Sequence, residues 1–303
     1  MEEVPCDLCG TRDTAPYADE NGYHAVQCRR CGLVYVTPRP SEAEMKRLYD
    51  GQETKVDIRA HLRRRDVKCA QARHSLRTIA AFQPDGRLLE VGSAAGYLLW
   101  EAQKAGYEVQ GLDISHAFAE FSRTQLGVPV HEGTLADAPF PDGSFDVVYM
   151  RNVLSHLAYP RLEHDRIHRL LRPGGFLIFE TGNVAELPAS EAGQLELPDH
   201  LYHFGEATIR QLLALTGFTV RAVYRYGLLE HLPLTHFFQR QRPSQSPPTP
   251  PHPPQGLPPL ILPRSSWPRR VEGAIGTWLR YGLGRFLARP GGRCTLVVIA
   301  QRP

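Results

Sequence analysis

The clearest indication of how this chain folds comes from residues 88–99, Leu88-Leu-Glu-Val-Gly-Ser-Ala-Ala-Gly-Tyr-Leu-Leu99. Its apolar start predicts a buried strand that ends near Glu90, its small residues predict a tight turn, and its end predicts a helix. Farther along, Glu108–Leu112 predicts a second short strand, and Asp113 follows it directly. A strand, a tight turn, a helix and a second strand that ends in a carboxylate are typical of a nucleotide-shaped binding site.

Strand-like and helix-like segments alternate from residue 86 to residue 182. The predicted strands are Arg87–Val91, Tyr107–Leu112, Val128–His131, Phe145–Tyr149 and Phe176–Glu180, and the predicted helices are Tyr97–Ala105, His116–Leu126 and Arg161–Leu171. This alternation predicts a parallel sheet of right-handed βαβ units. Ligands of such sheets bind at the carboxyl ends of the strands, so the residues that follow each strand are the candidates for a site.

Ten residues at these strand ends are candidate cofactor contacts. Gly92, Ala94 and Gly96 keep the turn small, so that the backbone can approach a ligand closely. The carboxylate of Asp113 can accept hydrogen bonds from both hydroxyls of a ribose, and Glu90 lies where the cofactor's amino-acid end is expected. For a nucleoside ligand with an adenine base and an amino-acid end, the other candidates are Ile114 on the adenine face, Thr134 and Leu135 at the adenine edge, and Met150 and Arg151 beside the amino-acid end.

A nicotinamide dinucleotide is the main competitor for this turn. Its fingerprint requires Gly-x-Gly-x-x-Gly, whereas the register that starts at Gly92 places Ala94 and Tyr97 at the second and third glycine positions. The acidic Glu90 before the turn also suits a cationic sulfonium ligand better than a pyrophosphate. The residues therefore favour S-adenosylmethionine as the cofactor.

The run from Glu90 to Gly175 resembles the class I S-adenosylmethionine-dependent methyltransferases. Five landmarks carry the resemblance, in order: Glu90-Val-Gly-Ser-Ala-Ala-Gly96, Gly111-Leu-Asp-Ile-Ser115, Pro139–Val148, Asn152-Val-Leu-Ser-His156 and Leu170-Leu-Arg-Pro-Gly-Gly175. The stretches Asp199–Phe204 and Leu212–Phe218 extend it to about residue 226. The resemblance implies an α/β, Rossmann-like seven-stranded sheet with helices on both faces, in which Cys294–Ala300 is the antiparallel last strand. Two positions depart from the family pattern: Ala94 replaces a usual glycine, and Thr134 replaces a frequent acidic residue.

Four of the six cysteines form two Cys-x-x-Cys pairs near the start of the chain. Cys6 and Cys9 are separated by 18 residues from Cys28 and Cys31, and a glycine follows each pair. Two such knuckles predict a closed tetrahedral Zn²⁺ site in a small zinc ribbon over residues 1–40, and a closed site is structural. The alternatives are chance pairs or a redox dithiol. This module resembles one in a bacterial branch of the family that includes sugar C-methyltransferases.

Methyl transfer to a hydroxyl, amine or carbon acid is helped by a general base, and histidine suits neutral pH. The candidates are His156, which follows the fourth predicted strand, and His200, Tyr202 and His203. His200 is the preferred base, with Asp199 beside it to orient nearby groups and Tyr202 as a wall of the acceptor pocket. The alternatives are a structural role for His156 and a helix-capping role for His203.

The sugar C-methyltransferases place a tyrosine three positions before the corresponding histidine, where this chain has Leu197. The acceptor therefore stays open between a small molecule and a sugar-containing metabolite, and between O- and C-methylation. Two other interpretations remain. One is a non-catalytic, methyltransferase-like binding protein. The other is a protein or nucleic-acid methyltransferase that uses the cysteine module for recognition, although no Asn-Pro-Pro-Tyr-like motif follows the fourth strand.

The chain is expected to divide into five parts. These are the zinc-ribbon-like module at 1–40, a helical lid or linker at 41–85, the methyltransferase core at 86–241, a Pro-rich linker or insertion at 242–266, and a helix with the last strand at 267–303. Ser41 and Glu44 predict a capping box at the start of the linker helix. The Arg-rich linker is either a solvated helix face or a lid.

The overall charge is nearly balanced, with 35 Lys and Arg against 32 Asp and Glu, which does not indicate a dedicated nucleic-acid surface. The first residues lack the basic start and the apolar region of a secretory signal peptide, and no apolar run is long enough for a transmembrane helix. We therefore expect a cytoplasmic protein. The helix at 267–288 mixes aromatic and basic residues, so it either contacts a membrane surface or packs on the sheet.

Overall fold

The computed structural model describes residues 1–41, 44, 58–227, 260–288, 292 and 294–303. Its strands are β1 Thr14–Glu20, β2 Tyr23–Cys28, β3 Val34–Val36, β4 Arg87–Val91, β5 Glu108–Asp113, β6 Val130–Glu132, β7 Phe145–Arg151, β8 Leu171–Asn183, β9 Tyr202–His203, β10 Thr219–Gly227 and β11 Cys294–Gln301. Its α-helices are α1 Ile58–Arg63, α2 Arg65–Ala80, α3 Tyr97–Lys104, α4 His116–Phe121, α5 Pro160–Leu170, α6 Ala189–Ala192, α7 Glu206–Leu215, α8 Trp267–Thr277 and α9 Gly284–Leu287. Two π-helical turns, Ser122–Leu126 and Trp278–Leu283, and a 3-10 turn, Leu154–His156, complete the elements.

Seven strands form the main sheet in the order β10-β11-β8-β7-β4-β5-β6. Strands β4 to β8 pair in parallel, whereas β11 is antiparallel to both β8 and β10. The predicted Rossmann-like sheet with an antiparallel last strand is therefore confirmed. The register aligns Val91 with Met150 and Arg151 with Glu180, so that the carboxyl ends of the central strands form one edge.

Both faces of the sheet are covered, because neighbouring strand residues point to opposite sides. Leu88 belongs to a core cluster that includes Ile79 of α2, and Leu89 belongs to a second cluster that includes Ile167 of α5. Residues 58–80 therefore pack on the sheet through one face rather than forming a wholly solvated segment.

Strand bounds differ from the predicted ones mainly at β8. Leu171 was expected to end a helix, but it pairs with Phe145 and begins a strand that continues to Asn183. The backbone at Leu171 can form its hydrogen bonds either with β7 or within a further helical turn, and pairing with β7 takes the place of that turn. The capping box is confirmed: Ser41 N donates to Glu44 Oε2 at 2.8 Å, and Glu44 N donates to Ser41 Oγ at 3.4 Å. The remainder of that predicted helix, and residues 242–259 of the Pro-rich stretch, lie outside the described residues.

The cysteine module does not form a sheet of its own. Strands β1, β2 and β3 pair in sequence, and β9, which lies much later in the chain, adds a fourth strand beside β3. The guanidinium of Arg39, 1% exposed, donates to the Ala158 carbonyl at 2.8 Å and to the Tyr202 hydroxyl at 2.9 Å. The module and the loop that holds the candidate histidines are therefore one packed unit.

The C-terminal helical segment, residues 267–287, packs against α2 on one face of the sheet. Gly273 of α8 is so close to α2 that a Cβ on it would lie 2.9 Å from the Asp66 carbonyl oxygen. The Asp66 carboxylate also accepts hydrogen bonds from the Ser265 hydroxyl at 2.7 Å and from the Ser266 amide at 3.0 Å. Among the described residues, no helix has both the length and the apolar character needed to cross a membrane.

Candidate functional site

The loop between β4 and α3 is an open cradle of backbone. The amides of Gly92 and Ser93 both donate to the Leu112 carbonyl, at 2.8 and 3.1 Å, which holds the loop against β5. Gly92 has φ +70°, and a Cβ on it would lie only 2.4 Å from Cγ2 of Val153. Ala94 is itself in the left-handed region at φ 46°. The loop therefore requires small residues, as the sequence predicted for a close approach of backbone to ligand.

Asp113 connects this loop to the end of β5. Its Oδ2 accepts a hydrogen bond from the Ala94 amide at 2.6 Å, and its Oδ1 accepts one from the Ser115 amide at 2.9 Å. An ionised carboxylate offers about four acceptor positions, so two remain for the hydroxyls of a ribose. Burial raises the pKa of Asp113, although both amides favour its charged form. Ile114 follows as an exposed apolar side chain, and its contact with adenine stays a prediction.

Two buried polar atoms beneath the loop have no hydrogen-bond partner within the described part of the chain. They are Oε2 of Glu90 and Oγ of Ser93, whose residues are 7% and 5% exposed. Burial raises the pKa of Glu90 well above its usual value; the nearby charge of Arg151 opposes this shift, and that of Asp113 adds to it. Because a buried carboxylate oxygen without a partner is costly, a cation that binds Oε2 of Glu90 would favour the charged form of the side chain and pair this oxygen. The site therefore fits the ammonium group of S-adenosylmethionine.

Three other cofactor candidates, Thr134, Leu135 and Met150, differ in their hydrogen bonds and their exposure. Thr134 Oγ1 donates to Asp137 Oδ2 at 2.7 Å and accepts a hydrogen bond from the Ala136 amide, so its side chain closes its own turn. Leu135 is 8% exposed. Met150 has no exposed surface and packs inside the core, so it lies beneath the site rather than against a cofactor. This corrects the expected contact, because the carboxyl-terminal position of β7 is taken by Arg151.

Arg151 belongs to a buried charged cluster that the sequence did not predict. Its Nε lies 3.6 Å from Oε1 of Glu180, which is 2% exposed. Glu180 also accepts hydrogen bonds from the Tyr281 hydroxyl at 2.9 Å and from Arg280 Nη2 at 3.1 Å. The C-terminal segment thus holds the end of β8. The signal available in the sequence was that Glu180 ends a predicted strand, as Glu90 does.

Two candidate histidines meet on the other side of this edge. His156 ends the 3-10 turn after β7, and its Nδ1 donates to the Asp199 carbonyl at 2.9 Å. His200 Nδ1 donates to the Leu195 carbonyl at 3.2 Å, and the two rings lie 4.6 Å apart between centroids. Burial and the neighbouring His156 lower the pKa of His200, although Glu196 and Asp199 oppose the shift. A neutral imidazole at neutral pH is the form that a general base needs.

His203 and Tyr202 are buried, which corrects their expected roles at the acceptor pocket. Tyr202 is 1% exposed, and its hydroxyl donates to the Ala158 carbonyl at 3.2 Å while it accepts from Arg39. His203 is 5% exposed, and burial lowers its pKa to about 3. Both lie in β9, where pairing with the cysteine module covers them. Tyr202 therefore joins the module to the core instead of lining a pocket.

The four cysteines of the N-terminal module converge. Cys6 Sγ lies 3.4 Å from Cys31 Sγ, Cys9 Sγ lies 3.5 Å from Cys28 Sγ, and all four sulfurs lie within 4.8 Å of one another. Each knuckle closes through the amide of its following glycine, which donates to the carbonyl of the first cysteine. With Zn–S bonds of about 2.3 Å, tetrahedral sulfurs lie about 3.8 Å apart, so this donor set fits Zn²⁺.

Comparison with known proteins assigns the class. A family model described as a methyltransferase domain matches residues 61–223, which is just over half of the chain. The chain therefore belongs to this methyltransferase family.

Several relatives carry more specific names. A protein of Mycolicibacterium smegmatis, described as a probable S-adenosylmethionine-dependent methyltransferase, is 31% identical over 138 residues, 44% of this chain and 52% of that protein. A ubiquinone biosynthesis O-methyltransferase of Nitrosococcus oceani is 32% identical over 106 residues, 32% of this chain and 44% of that protein. The chain thus spans about half the length of the curated relatives it matches. A solved geranyl diphosphate methyltransferase in complex with S-adenosylmethionine superimposes with a TM-score of 0.52 at 18% identity, covering 78% of this chain and 85% of that one, and it shares the fold.

The expected membrane contact of the C-terminal helical segment stays a prediction. Trp267, Trp278 and Phe286 are 76%, 64% and 83% exposed, and Ile275 is exposed beside them. The opposite side of the segment packs on α2 and β10, as the alternative interpretation predicts. The cytoplasmic location also stays a prediction.

Proposed function

We propose that this protein transfers the methyl group of S-adenosylmethionine to a small molecule. The observation that carries the proposal is the cradle formed by Gly92 and Ala94, with the unpartnered Glu90 Oε2 below it and the Asp113 carboxylate at its edge. Bound there, S-adenosylmethionine supplies an electrophilic methyl carbon on a sulfonium. Glu90 binds the ammonium group, and Asp113 accepts hydrogen bonds from the ribose.

The chain's own contribution to the chemistry is alignment and proton removal. The edge of the sheet holds the acceptor in line with the bond between methyl carbon and sulfur, and such positioning supplies much of the acceleration. The cofactor would give up its methyl group and keep the electron pair of its carbon–sulfur bond. The acceptor's proton moves to Nε2 of His200, whose Nδ1 is already committed to the Leu195 carbonyl.

The proposed acceptor is a small molecule or a sugar-containing metabolite with a hydroxyl or an acidic C–H bond. The names of relatives, among them the ubiquinone biosynthesis O-methyltransferase of Nitrosococcus oceani, support a small acceptor. The partly exposed His156 and His200 support an acceptor that enters between their loops. We propose a structural Zn²⁺ ion in the four-Cys site, since its closed donor set leaves no position for substrate.

Calorimetry with S-adenosylmethionine and S-adenosylhomocysteine tests the proposal first. We expect one cofactor per chain, and an absence of binding would reject the cofactor assignment and favour a non-catalytic binding protein. Transfer of a labelled methyl group to a panel of hydroxylated metabolites and nucleotide sugars tests the acceptor class. Protein and nucleic-acid substrates belong in the same panel, because label on either would favour the recognition role of the cysteine module.

Single-turnover transfer with His200→Gln tests the base. We expect a rate loss of about 100-fold or more with an unchanged cofactor Kd, because glutamine preserves polarity but accepts no proton at neutral pH. His24→Gln is the matched control, since His24 also pairs with a carboxylate but lies on the exposed hairpin of the cysteine module. An undiminished rate in His200→Gln would remove this residue from the catalytic role.

A further inference from the structure

We infer that His156, Asp199 and His200 form a binding site for a first-row transition-metal ion, separate from the four-Cys site. Each of the three side chains offers one ligand atom, and these atoms lie within 4.8 Å of one another. All three side chains are partly exposed, at 26%, 37% and 27%, so an ion in solution can reach them. Two imidazoles and one carboxylate are a donor set that such ions prefer.

The backbone holds the two rings in the form that a metal ion requires. A carbonyl oxygen can only accept, so Nδ1 of His156 and Nδ1 of His200 each carry a proton toward the carbonyls of Asp199 and Leu195. Each ring therefore keeps Nε2 as its basic nitrogen. Because His156 Nδ1 also lies 3.6 Å from Oδ1 of Asp199, the His156 ring rotates when its Nε2 binds an ion held by that carboxylate. Metal-binding histidines are typically oriented in this way, with the other ring nitrogen donating to a carbonyl or carboxylate.

Two further contacts hold the cluster together. The Leu201 amide donates to the Ser155 carbonyl at 2.8 Å, which ties the loop of His156 to the loop of Asp199 and His200. The ring of His203 lies edge-on to His200 at 5.9 Å between centroids. His203 is 5% exposed, and its Nε2 has no hydrogen-bond partner in the described part of the chain. A third imidazole thus lies beside His200, one of the three proposed ligands.

The geometry favours ions that bind imidazole over hard cations. Ligand atoms about 2.0–2.2 Å from one ion lie roughly 3–4 Å from one another, so the side chains need to close by about 1 Å. All three side chains are partly exposed, and their rotation supplies such a movement. Zn²⁺, Ni²⁺ and Co²⁺ suit two imidazoles and a carboxylate, whereas Mg²⁺ and Ca²⁺ favour sites built of oxygen.

Occupancy of this site would regulate methyl transfer, and this consequence rests on the proposed function. The lone pair on His200 Nε2 cannot bind an ion and accept the acceptor's proton at the same time. A bound ion therefore blocks the proposed base while it leaves the cradle at Gly92 and Asp113 open. Inhibition should lower the rate of transfer and leave the cofactor Kd unchanged.

The test counts metal ions on the full chain after its four-Cys site has been filled with Zn²⁺. Equilibrium dialysis against Co²⁺ with elemental analysis should give one further ion per chain, with the weak visible bands of nitrogen and oxygen ligands. Exchange at the cysteines would appear separately as intense thiolate charge-transfer absorption. His200→Gln and Asp199→Asn, which keep side-chain size, should each weaken Co²⁺ binding at least tenfold, and His156→Ala should do the same.

His24→Ala is the matched control, because His24 Nδ1 lies 2.6 Å from the Asp19 carboxylate without a second histidine in that pair. It should leave the additional ion in place. The inference is overturned if wild type binds no ion beyond the four-Cys site, or if the three variants bind it as tightly as wild type. Cofactor calorimetry on the same samples separates the two proposals: cofactor binding without the second ion rejects this inference alone, and the reverse rejects the proposed cofactor alone.

Discussion

Asp113→Asn perturbs two functions of one carboxylate, and the structure assigns a separate magnitude to each. Asparagine keeps the size of the side chain but replaces one acceptor oxygen with an NH₂ donor. One of the two backbone amides, that of Ala94 or that of Ser115, then loses its buried acceptor. Such a loss costs about 1–3 kcal/mol, which we expect in the free energy of unfolding without cofactor.

The same change removes one charge-assisted hydrogen bond to the ribose. A hydrogen bond to a charged group contributes about 1.5–3 kcal/mol, so the cofactor Kd should rise roughly 10- to 150-fold. Calorimetry with S-adenosylhomocysteine measures this Kd, and urea denaturation of the ligand-free chain measures the stability term. Glu108→Gln is the control, because Glu108 begins the same strand at the opposite edge of the sheet and should leave Kd unchanged.

Two results would refute this reasoning. A Kd for Asp113→Asn within about threefold of wild type would mean that the ribose does not lie on this carboxylate. An equal loss of affinity in Glu108→Gln would mean that the effect comes from general loss of charge rather than from the strand end.

Three further predictions concern the loop, the cysteine module and pH. Gly92→Ala should lower the free energy of unfolding by about 1–3 kcal/mol in urea denaturation, because its Cβ meets Val153 in a left-handed backbone; adding Val153→Ala should recover only the steric part. Cys28→Ser, like treatment with a strong chelator, should remove the Zn²⁺ found by elemental analysis and lower Tm, and an unchanged metal content would contradict the four-Cys site. Burial lowers the pKa of His164 to about 4 and that of His203 to about 3. Below pH 6.5 the unfolded chain therefore binds more protons than the folded chain, and the free energy of unfolding decreases as the pH is lowered. From pH 8 to pH 5.5 the loss is about 1.4 kcal/mol per histidine, and His164→Gln should flatten the dependence seen in urea titrations.

The central sheet was predictable because its strands are apolar runs between clear turn signals. The loop between β4 and α3 was also predictable, since small residues at fixed spacing have few explanations besides a close backbone approach. The structure then places Glu90, Gly92, Ala94 and Asp113 at one sheet edge, as expected.

The surroundings of the candidate histidines were not predictable from local pattern. Strands β3 and β9 contain three and two residues, too few to show a period, and the contact that joins them through Arg39 and Tyr202 spans 163 positions. Glu180 has partners in a helical segment about 100 positions later, and the sequence around Glu180 does not predict these contacts. The same long-range pairing explains why Tyr202 and His203 are buried, whereas the sequence alone placed them at an open pocket.

The pairing of β3 with β9 has a consequence for the order of events during synthesis. Residues 34–36 leave the ribosome long before residues 202–203, and at about 5–20 residues per second the 163 positions between Arg39 and Tyr202 take roughly 8–30 s. During this interval the nascent cysteine module has an uncovered edge at β3, and Arg39 lacks its later partners. Capture of an ion by the four thiols in this period would keep the hairpin ordered until the rest of the chain arrives to close it.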